Sequence, residues 1–246
     1  MISVELPLKR TKLVQAYHRW FADKPLASDS YKLVYHYHCK HLGPLKGFTR
    51  ERKFTKLLDI SIDEDKLMAA FGKTTRYEVR RAGNSDELQF GLVSNWETFL
   101  KYYNGFAALK EMPEMDPTIL RSYWPHCVVT EACFEGQPLV MHTYVVDPVA
   151  SRINLTYSAT HFRGEVDREL RRKQGRANRW LHHQDMLHFK REGYACYDFG
   201  GYAFETTDKS LQAVNEFKDS FGGELVEESN YTSRALGWLR WVKSLR

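Results

Sequence analysis

Three β-like runs follow one another with short breaks: CVVTEACFEG (127–136), PLVMHTYVVD (138–147) and RINLTYSATH (152–161). Gly136-Gln137 and the stretch from Pro148 to Ser151 supply the turns, so the runs read as an antiparallel meander. Before it, ELQFGLVS (87–94) reads as a strand, NWETFLKYYNGFAALK (95–110) as a helix capped by Asn95, and DPTILRSYW (116–124) as a helix opened by Asp-Pro. After it come a helix to about Arg191, a compact strand YACYDFGG (194–201), a helix SLQAVNEFKDSFGG (210–223) stopped by its glycines, and a closing strand ELVEESNYT (224–232). Helices interspersed among strands, with a hairpin meander inside, predict an α+β, mixed-sheet domain.

The first third is less regular. YKLVYHYHCK (31–40) and KFTKLLDI (53–60) read as strands, HLGPLKG (41–47) as a loop, and VQAYHRWF (14–21) fits helix or strand. Residues 61 to 81 predict one helix with Ser61 as N-cap and Glu64 at the capping-box position. Leu67, Met68, Phe71 and Val79 share one face of it, and Lys73, Arg76 and Arg80 gather on the other. Such a stripe is either a solvated face or an anion contact.

The chain's 246 residues allow one large domain or two small ones. A net charge of +5 is modest for a nucleic-acid binder and suits a small polyanionic ligand. No bilayer-spanning apolar run and no secretory leader are visible, which places the protein in the cytoplasm without stable membrane insertion. Cys39, Cys127, Cys133 and Cys196 lack CxxC spacing, so a structural zinc is not expected.

The segment RRKQGRANRWLHHQD (171–185) carries five cations, one glycine and two adjacent histidines. A metal reading fails on geometry, since neighbouring histidines on a helix point about 100° apart. His182 and His183 then read as surface or boundary residues beside an apolar stripe of Ala177, Trp180, Leu181 and Leu187. A phosphate seat fits better. Gly175 and Ala177 leave the main chain open, a helix start offers unpaired N–H groups, and Arg172, Lys173 and Arg176 add charge.

Arg172-Lys173-Gln174-Gly175-Arg176-Ala177 is similar to the Q/R-x-x-G-x-G/A pattern of the GNAT acyltransferases, whose loop cradles the pyrophosphate of coenzyme A. YDFGGY (197–202) followed by LQAVNEFKDSFGGEL (211–225) resembles the signature of the Fem-type branch of that superfamily. KTTRYEVRRAG (73–83) after KFTKLLDI is also in keeping with that branch. Fem-type proteins are best known for adding amino acids to peptidoglycan precursors. The resemblance runs from about residue 53 to 232 and implies a GNAT-like, mostly antiparallel sheet flanked by helices. The stretch before residue 61 is short for this branch, and no coiled-coil arm is visible. A truncated N-terminal half with its connecting helix (1–82) is therefore expected ahead of a C-terminal acyltransferase domain (83–246).

By this resemblance the donor is a coenzyme A thioester, held by Arg172 to Ala177 with Asn178. The acceptor is the amine of a small molecule, of which a nucleotide-linked amino sugar for surface polysaccharide is the best match. An amide near Tyr157 to Ala159 would hold the carbonyl oxygen, as in the family. Asp198 is the first candidate base, against a role as turn anchor. His142 is the second, against a satisfied core histidine. Tyr157 or Tyr202 would protonate the departing thiolate, and Arg76 and Arg80 would grip a diphosphate, with nearby tyrosines such as Tyr202 stacking on base or sugar. Nothing in the sequence activates Cys196 for a covalent route, so direct attack is expected. A tRNA-dependent aminoacyl transferase and a non-enzymatic RNA-binding module are the rival readings. His36 and His38 share a strand face without further spaced ligands, which reads as a polar strand face. The tail ALGWLRWVKSLR (235–246) could touch a membrane, its own domain or a second subunit.

Overall fold

The computed structural model describes residues 1–7, 15–161 and 167–244. In chain order the strands and helices begin with β1 (Ile2–Leu6), β2 (Ala16–Trp20), β3 (Leu33–Cys39), β4 (Phe48–Asp59), α1 (Glu64–Ala70) and α2 (Lys73–Ser85). Then follow β5 (Gln89–Leu92), α3 (Trp96–Leu109), α4 (Pro117–Tyr123), β6 (Cys127–Phe134), β7 (Gln137–Asp147) and β8 (Arg152–Thr160). The chain closes with α5 (Arg168–Arg191), β9 (Cys196–Gly201), α6 (Lys209–Asp219), β10 (Glu224–Ser233) and α7 (Arg234–Ser244). This is a mixed, mostly antiparallel sheet architecture flanked by helices. Among the described residues no helix is long and apolar enough to cross a membrane.

Two compact units divide the chain, and neither is a continuous stretch. One comprises Met1–Thr55, Gly201–Phe204 and Leu225–Arg246; the other comprises Lys56–Gly200 and Glu205–Glu224. In the first unit β10 lies between β3 and β4, so the N-terminal strands are completed by the C-terminal part of the chain. β2 and β3 run parallel, and β10 pairs antiparallel with β3. The boundary expected after residue 82 falls inside α2. Val79 and Ala82 of that helix share one core with Ala177, Trp180 and Leu181 of α5, which ties α2 to the second unit.

The second unit is built on the meander that the turn signals predict. β6, β7 and β8 pair antiparallel, with β5 on the edge of β6. β8 then crosses through α5 to the parallel strand β9, a connection that parallel pairing requires. β7 is buried on both faces, and its period of two sorts its side chains. Met141 enters the core with Phe99, Tyr103 and Phe106 of α3, while Val140 packs with Trp180 and Leu181, and Tyr144 with Phe189 and Phe221.

Asn95 and Asp116 cap α3 and α4 as expected, accepting from the amides of Glu97 and Thr118. The helix expected over 61–81 is instead two. α1 takes Asp63 as its N-cap position, Ser61 donates to the Asp59 carboxylate instead of capping, and the chain breaks at Phe71-Gly72 before α2. The break is fixed from outside, because the Gly72 amide donates to the Ser220 carbonyl. Gly223, just beyond α6, has φ +82, and a β-carbon there would lie 2.3 Å from the Leu57 carbonyl oxygen. Gly223→Ala therefore combines backbone strain with a clash against main chain, and should cost at least about 2 kcal/mol. A urea midpoint unchanged from wild type would show that the approach to Leu57 is not tight.

Candidate functional site

The segment expected to loop around a pyrophosphate is helical. Asp167 caps α5 by accepting from the amides of Glu169 and Leu170, and the helix then runs unbroken through Arg172 to Ala177. Inside a helix each N–H is bonded four residues back, so these amides have no free donor for a phosphate. A β-carbon added at Gly175 would meet no atom within 4 Å, so nothing approaches this position that only glycine admits. The side chains are also committed. Arg176 forms a buried two-pronged pair with Asp86, at 2.6 and 2.8 Å. Arg172 pairs with Glu169, and the Lys173 ammonium sits 3.2 Å from the centroid of the Phe134 ring. Gln174 and Ala177 are buried. The run of Arg, Lys, Gln and Ala behind an Asp cap is strongly helix-forming, and one glycine costs only about 1 kcal/mol against it.

The same helix presents a polar stripe into the protein. Asn178, His182, Asp185 and Phe189 are spaced 4, 3 and 4 apart and so lie along one face, turned toward β7. The expected placing of His182 and His183 at the surface is wrong, since both are buried. Asp185 Oδ2 accepts from Tyr144 at 2.6 Å and lies 2.8 Å from His142 Nδ1. His142 Nε2 lies 2.8 Å from Asn178 Oδ1, which also accepts from Ser158 at 3.3 Å. Tyr144 and Tyr197 share a 2.6 Å hydrogen bond, and Tyr197 is 2.6 Å from His182 Nδ1. His142 is thus enclosed, with both ring nitrogens engaged. It is a satisfied core histidine and not the base expected of it. His142, His182 and Asp185 have the donor chemistry of a divalent-ion site; both His142 nitrogens, His182 Nδ1 and Asp185 Oδ2 engage this network, while Asp185 Oδ1 is buried without a hydrogen-bond partner among the described residues.

Asp198 is an anchor, not a base. Its carboxylate is fully buried and accepts from Arg152 at 3.0 and 2.5 Å, from Asn154 at 2.6 Å and from the Gly200 amide at 2.8 Å. A carboxylate holding this many donors is a poor proton acceptor. The anchor stands where the parallel ladder stops. β8 and β9 pair at Arg152/Cys196, Ile153/Tyr197 and Asn154/Asp198. Among the described residues no pairing continues, although β8 runs on to Thr160. Gly200, at φ +70, brings its α-carbon so near Leu155 that a β-carbon would lie 2.5 Å from the Leu155 carbonyl. One edge of β8 from Leu155 onward is thereby left outside the β8–β9 ladder, at the carboxyl ends of two parallel strands. Ligands in α/β sheets bind at such ends.

Lys218, which falls inside the 211–225 stretch that resembles the Fem-type signature but is given no role there, lies at this point. Its ammonium donates to the Gly200 carbonyl at 3.3 Å. Burial lowers its pKa to about 8, against an opposing pull from Asp198. A lysine in the last turn of a helix reads from sequence as ordinary dipole complementarity, so only its burial distinguishes it. Tyr157, on the part of β8 beyond the β8–β9 ladder, is 38% exposed and packs on Tyr103. Burial raises its phenol pKa, which keeps it a proton donor. Tyr202 belongs to the other unit, where its amide donates to Phe54. Cys196 faces Arg152 at the opposite end of β9 from Gly200.

Two basic clefts open on either side of α2. Thr74, Glu78 and Arg81 of α2 face Arg171, Arg172, Gly175, Arg176 and Arg179 of α5 across a cleft of about 410 Å³. The Nε of Arg179 is buried there without a hydrogen-bond partner among the described residues. A second cleft of about 580 Å³ is lined by Lys73, Arg76, Tyr77, Arg80, Arg81 and Asn84. Arg81 lines both. Arg76 and Arg80 are thus brought together, though Arg76 also donates to the Ala69 carbonyl. His36 and His38 of β3 are both buried, His36 beside Asp29 and Arg19, and His38 2.6 Å from Glu228.

No family model matches the chain, and no curated protein sequence does. Solved structures do. The chain is similar to FemX, with a TM-score of 0.60 at 13% identity over 80% of this chain and 68% of that one. It is also similar to the C-terminal domain of a protein from Agrobacterium fabrum described as a putative lysylphosphatidylglycerol synthetase (0.55, 13%, 85% and 70%). L-PGS from Bacillus licheniformis matches at 0.51 and 12% identity, over 89% and 73%. The fold is FemX-like. At such identities the likeness concerns the chain path alone, which is the part of the sequence resemblance it bears out.

Two measurements follow from this site. Gly175→Ala should stabilise the protein by about 0.5–1 kcal/mol, a rise in Tm of about 1–4 °C, because it removes a helix-interior glycine. A loss of stability would mean that the backbone there is not helical. Burial holds His182 and His183 below the usual imidazole range, and His18 and His36 at about 4. The unfolded chain takes up protons at these histidines first, so stability is full above about pH 6.5 and falls as pH drops toward 4. Equal urea midpoints at about pH 7 and pH 5 would contradict this.

Proposed function

We propose that this protein is an N-acyltransferase whose two substrates both carry phosphates. The observation behind this reading is the pair of arginine-lined clefts on either side of α2. Guanidinium groups bind phosphate oxygens in a bidentate manner, and a partly dehydrated cleft strengthens the contact. The α2–α5 cleft would take the phosphates of the donor, an acyl-CoA, on Arg81, Arg171 and Arg179 in place of the α5 backbone. The cleft of Lys73, Arg76 and Arg80 would take the diphosphate of the acceptor, a nucleotide-linked amino sugar.

Acyl transfer to an amine requires a neutral amine, a polarised carbonyl and near-attack contact between them. Positioning can supply about 7–11 kcal/mol of the barrier. In this reading the acyl carbonyl lies along the unpaired edge of β8, near Tyr157 to Ala159, and the Lys218 ammonium offsets the charge that develops on its oxygen. Such a donor is worth about 3–4 kcal/mol. Tyr157 protonates the leaving thiolate as the carbon–sulfur bond breaks, and the proton shed by the attacking amine restores its phenol. The attack is direct.

A second reading is favoured by one observation: α5 holds no free-amide loop for a pyrophosphate. A donor carried on tRNA would use the two clefts as one basic track. The readings separate in a single assay, in which acyl-CoA turnover releases free thiol and aminoacyl-tRNA turnover releases uncharged tRNA. Thiol release dependent on an amino-sugar nucleotide supports the first, and deacylation of tRNA alone overturns it. With the active donor, Lys218→Met should lower kcat about 10²–10³-fold. The wild-type rate should decline as pH rises through about 8, where Lys218 loses its proton, and Lys218→Arg should move that decline to higher pH. An alkaline limb unchanged in Lys218→Arg would remove Lys218 from the reaction.

A further inference from the structure

The first unit carries a surface that acyl transfer does not use. On α7, Arg234, Trp238 and Trp241 are spaced 4 and 3 apart and project from one face. Trp238 is 64% and Trp241 59% exposed, unusual for indoles, while Leu236 and Leu239 on the opposite side are partly buried. The helix is held in place: the Arg234 amide donates to the Gly47 carbonyl, Ser233 Oγ accepts from the Leu236 amide, and the Arg240 guanidinium lies 5.2 Å from the centroid of the Tyr35 ring. Tyr31, on the turn that α7 contacts, is 83% exposed. Beside Trp238 an open groove of about 290 Å³ is lined by Gly47, Phe48, Thr49, Arg234 and Gly237, with Lys46 exposed next to it. α7 contains no acidic residue.

Indole rings with a polar N–H and an apolar body settle at the headgroup level of a bilayer, and arginines beside them attract anionic lipid. We infer that the α7 face docks the protein on the surface of a bilayer rich in anionic phospholipid, with Trp238 and Trp241 at headgroup depth and Arg234 on a lipid phosphate. The helix is short and keeps its other side on the protein, so the association is peripheral and reversible. Charge complementarity is what selects this occupant. An interface between two copies of this face would bring Arg234 and Lys46 of each together, with no acidic residue on α7 to pair them. This inference does not depend on the transfer reaction.

The test is sedimentation of the full chain with vesicles of phosphatidylglycerol and phosphatidylcholine in equal parts, and with phosphatidylcholine alone. Binding is expected to the anionic vesicles and to weaken in high salt. Each cation brought to the surface contributes roughly a fivefold gain in partition, so Arg234→Gln should lose about that factor. Trp238→Ser with Trp241→Ser should lose tenfold or more while thermal unfolding stays unchanged, since both rings are exposed. Wild-type binding by the double variant would overturn the inference. So would equal binding to both vesicle types, or a dimer in solution that dissociates in the double variant.

Discussion

The seating of α5 on β7 organises the second unit. An apolar helix face would have sufficed to hold the two together, yet the contact is threaded by Asn178, His182 and Asp185 against His142, Tyr144 and Tyr197. All of these groups but the half-buried Asn178 are buried, and removing one partner would strand another without water at about 1–3 kcal/mol. The network accepts only one rotation and one translation of the helix. It thereby fixes where the parallel strand after α5 must join the sheet, and so where the β8–β9 ladder ends.

That ladder end and the basic clefts are linked through α5. Its first half carries arginines toward α2, its middle carries the polar stripe, and its last turns feed β9. The buried Arg176–Asp86 pair locks α2 to the same helix. A buried ion pair adds little net stability but strongly penalises any arrangement that leaves one charge alone. In this unit it acts on geometry, keeping Arg81 on α2 in line with Arg171 and Arg179 on α5.

Much of the chain path is legible in the sequence, because the governing signals are local. The meander's turns, the Asn95 and Asp116 caps and the glycines after α6 each announce themselves within a few residues. The site is less legible. Gly175 has the look of a phosphate loop when the flanking sequence is basic, but the Asp167 cap and the helix formers behind it outweigh one glycine. Asp198 and His142 suggest bases because their residue types can be, and only their partners across the sheet reveal otherwise. The i, i+4, i+7 spacing of Asn178, His182 and Asp185 is present in the sequence, yet the neighbouring stripe of Ala177, Trp180 and Leu181 hides it. Lys218 falls inside the 211–225 motif, yet nothing local reveals its lowered pKa, which comes from long-range burial.

The interleaving of the first unit bears on how the chain emerges from the ribosome. The strand that lies between β3 and β4 is made only after almost all of the second unit, and the Val34 amide bonds to Ser233 across 199 residues. The second unit draws almost all of its residues from the span between, so it can condense while the N-terminal strands still lack their middle partner. During synthesis β3 and β4 present open backbone edges until β10 arrives, a stage at which assistance by a chaperone would have the most to protect.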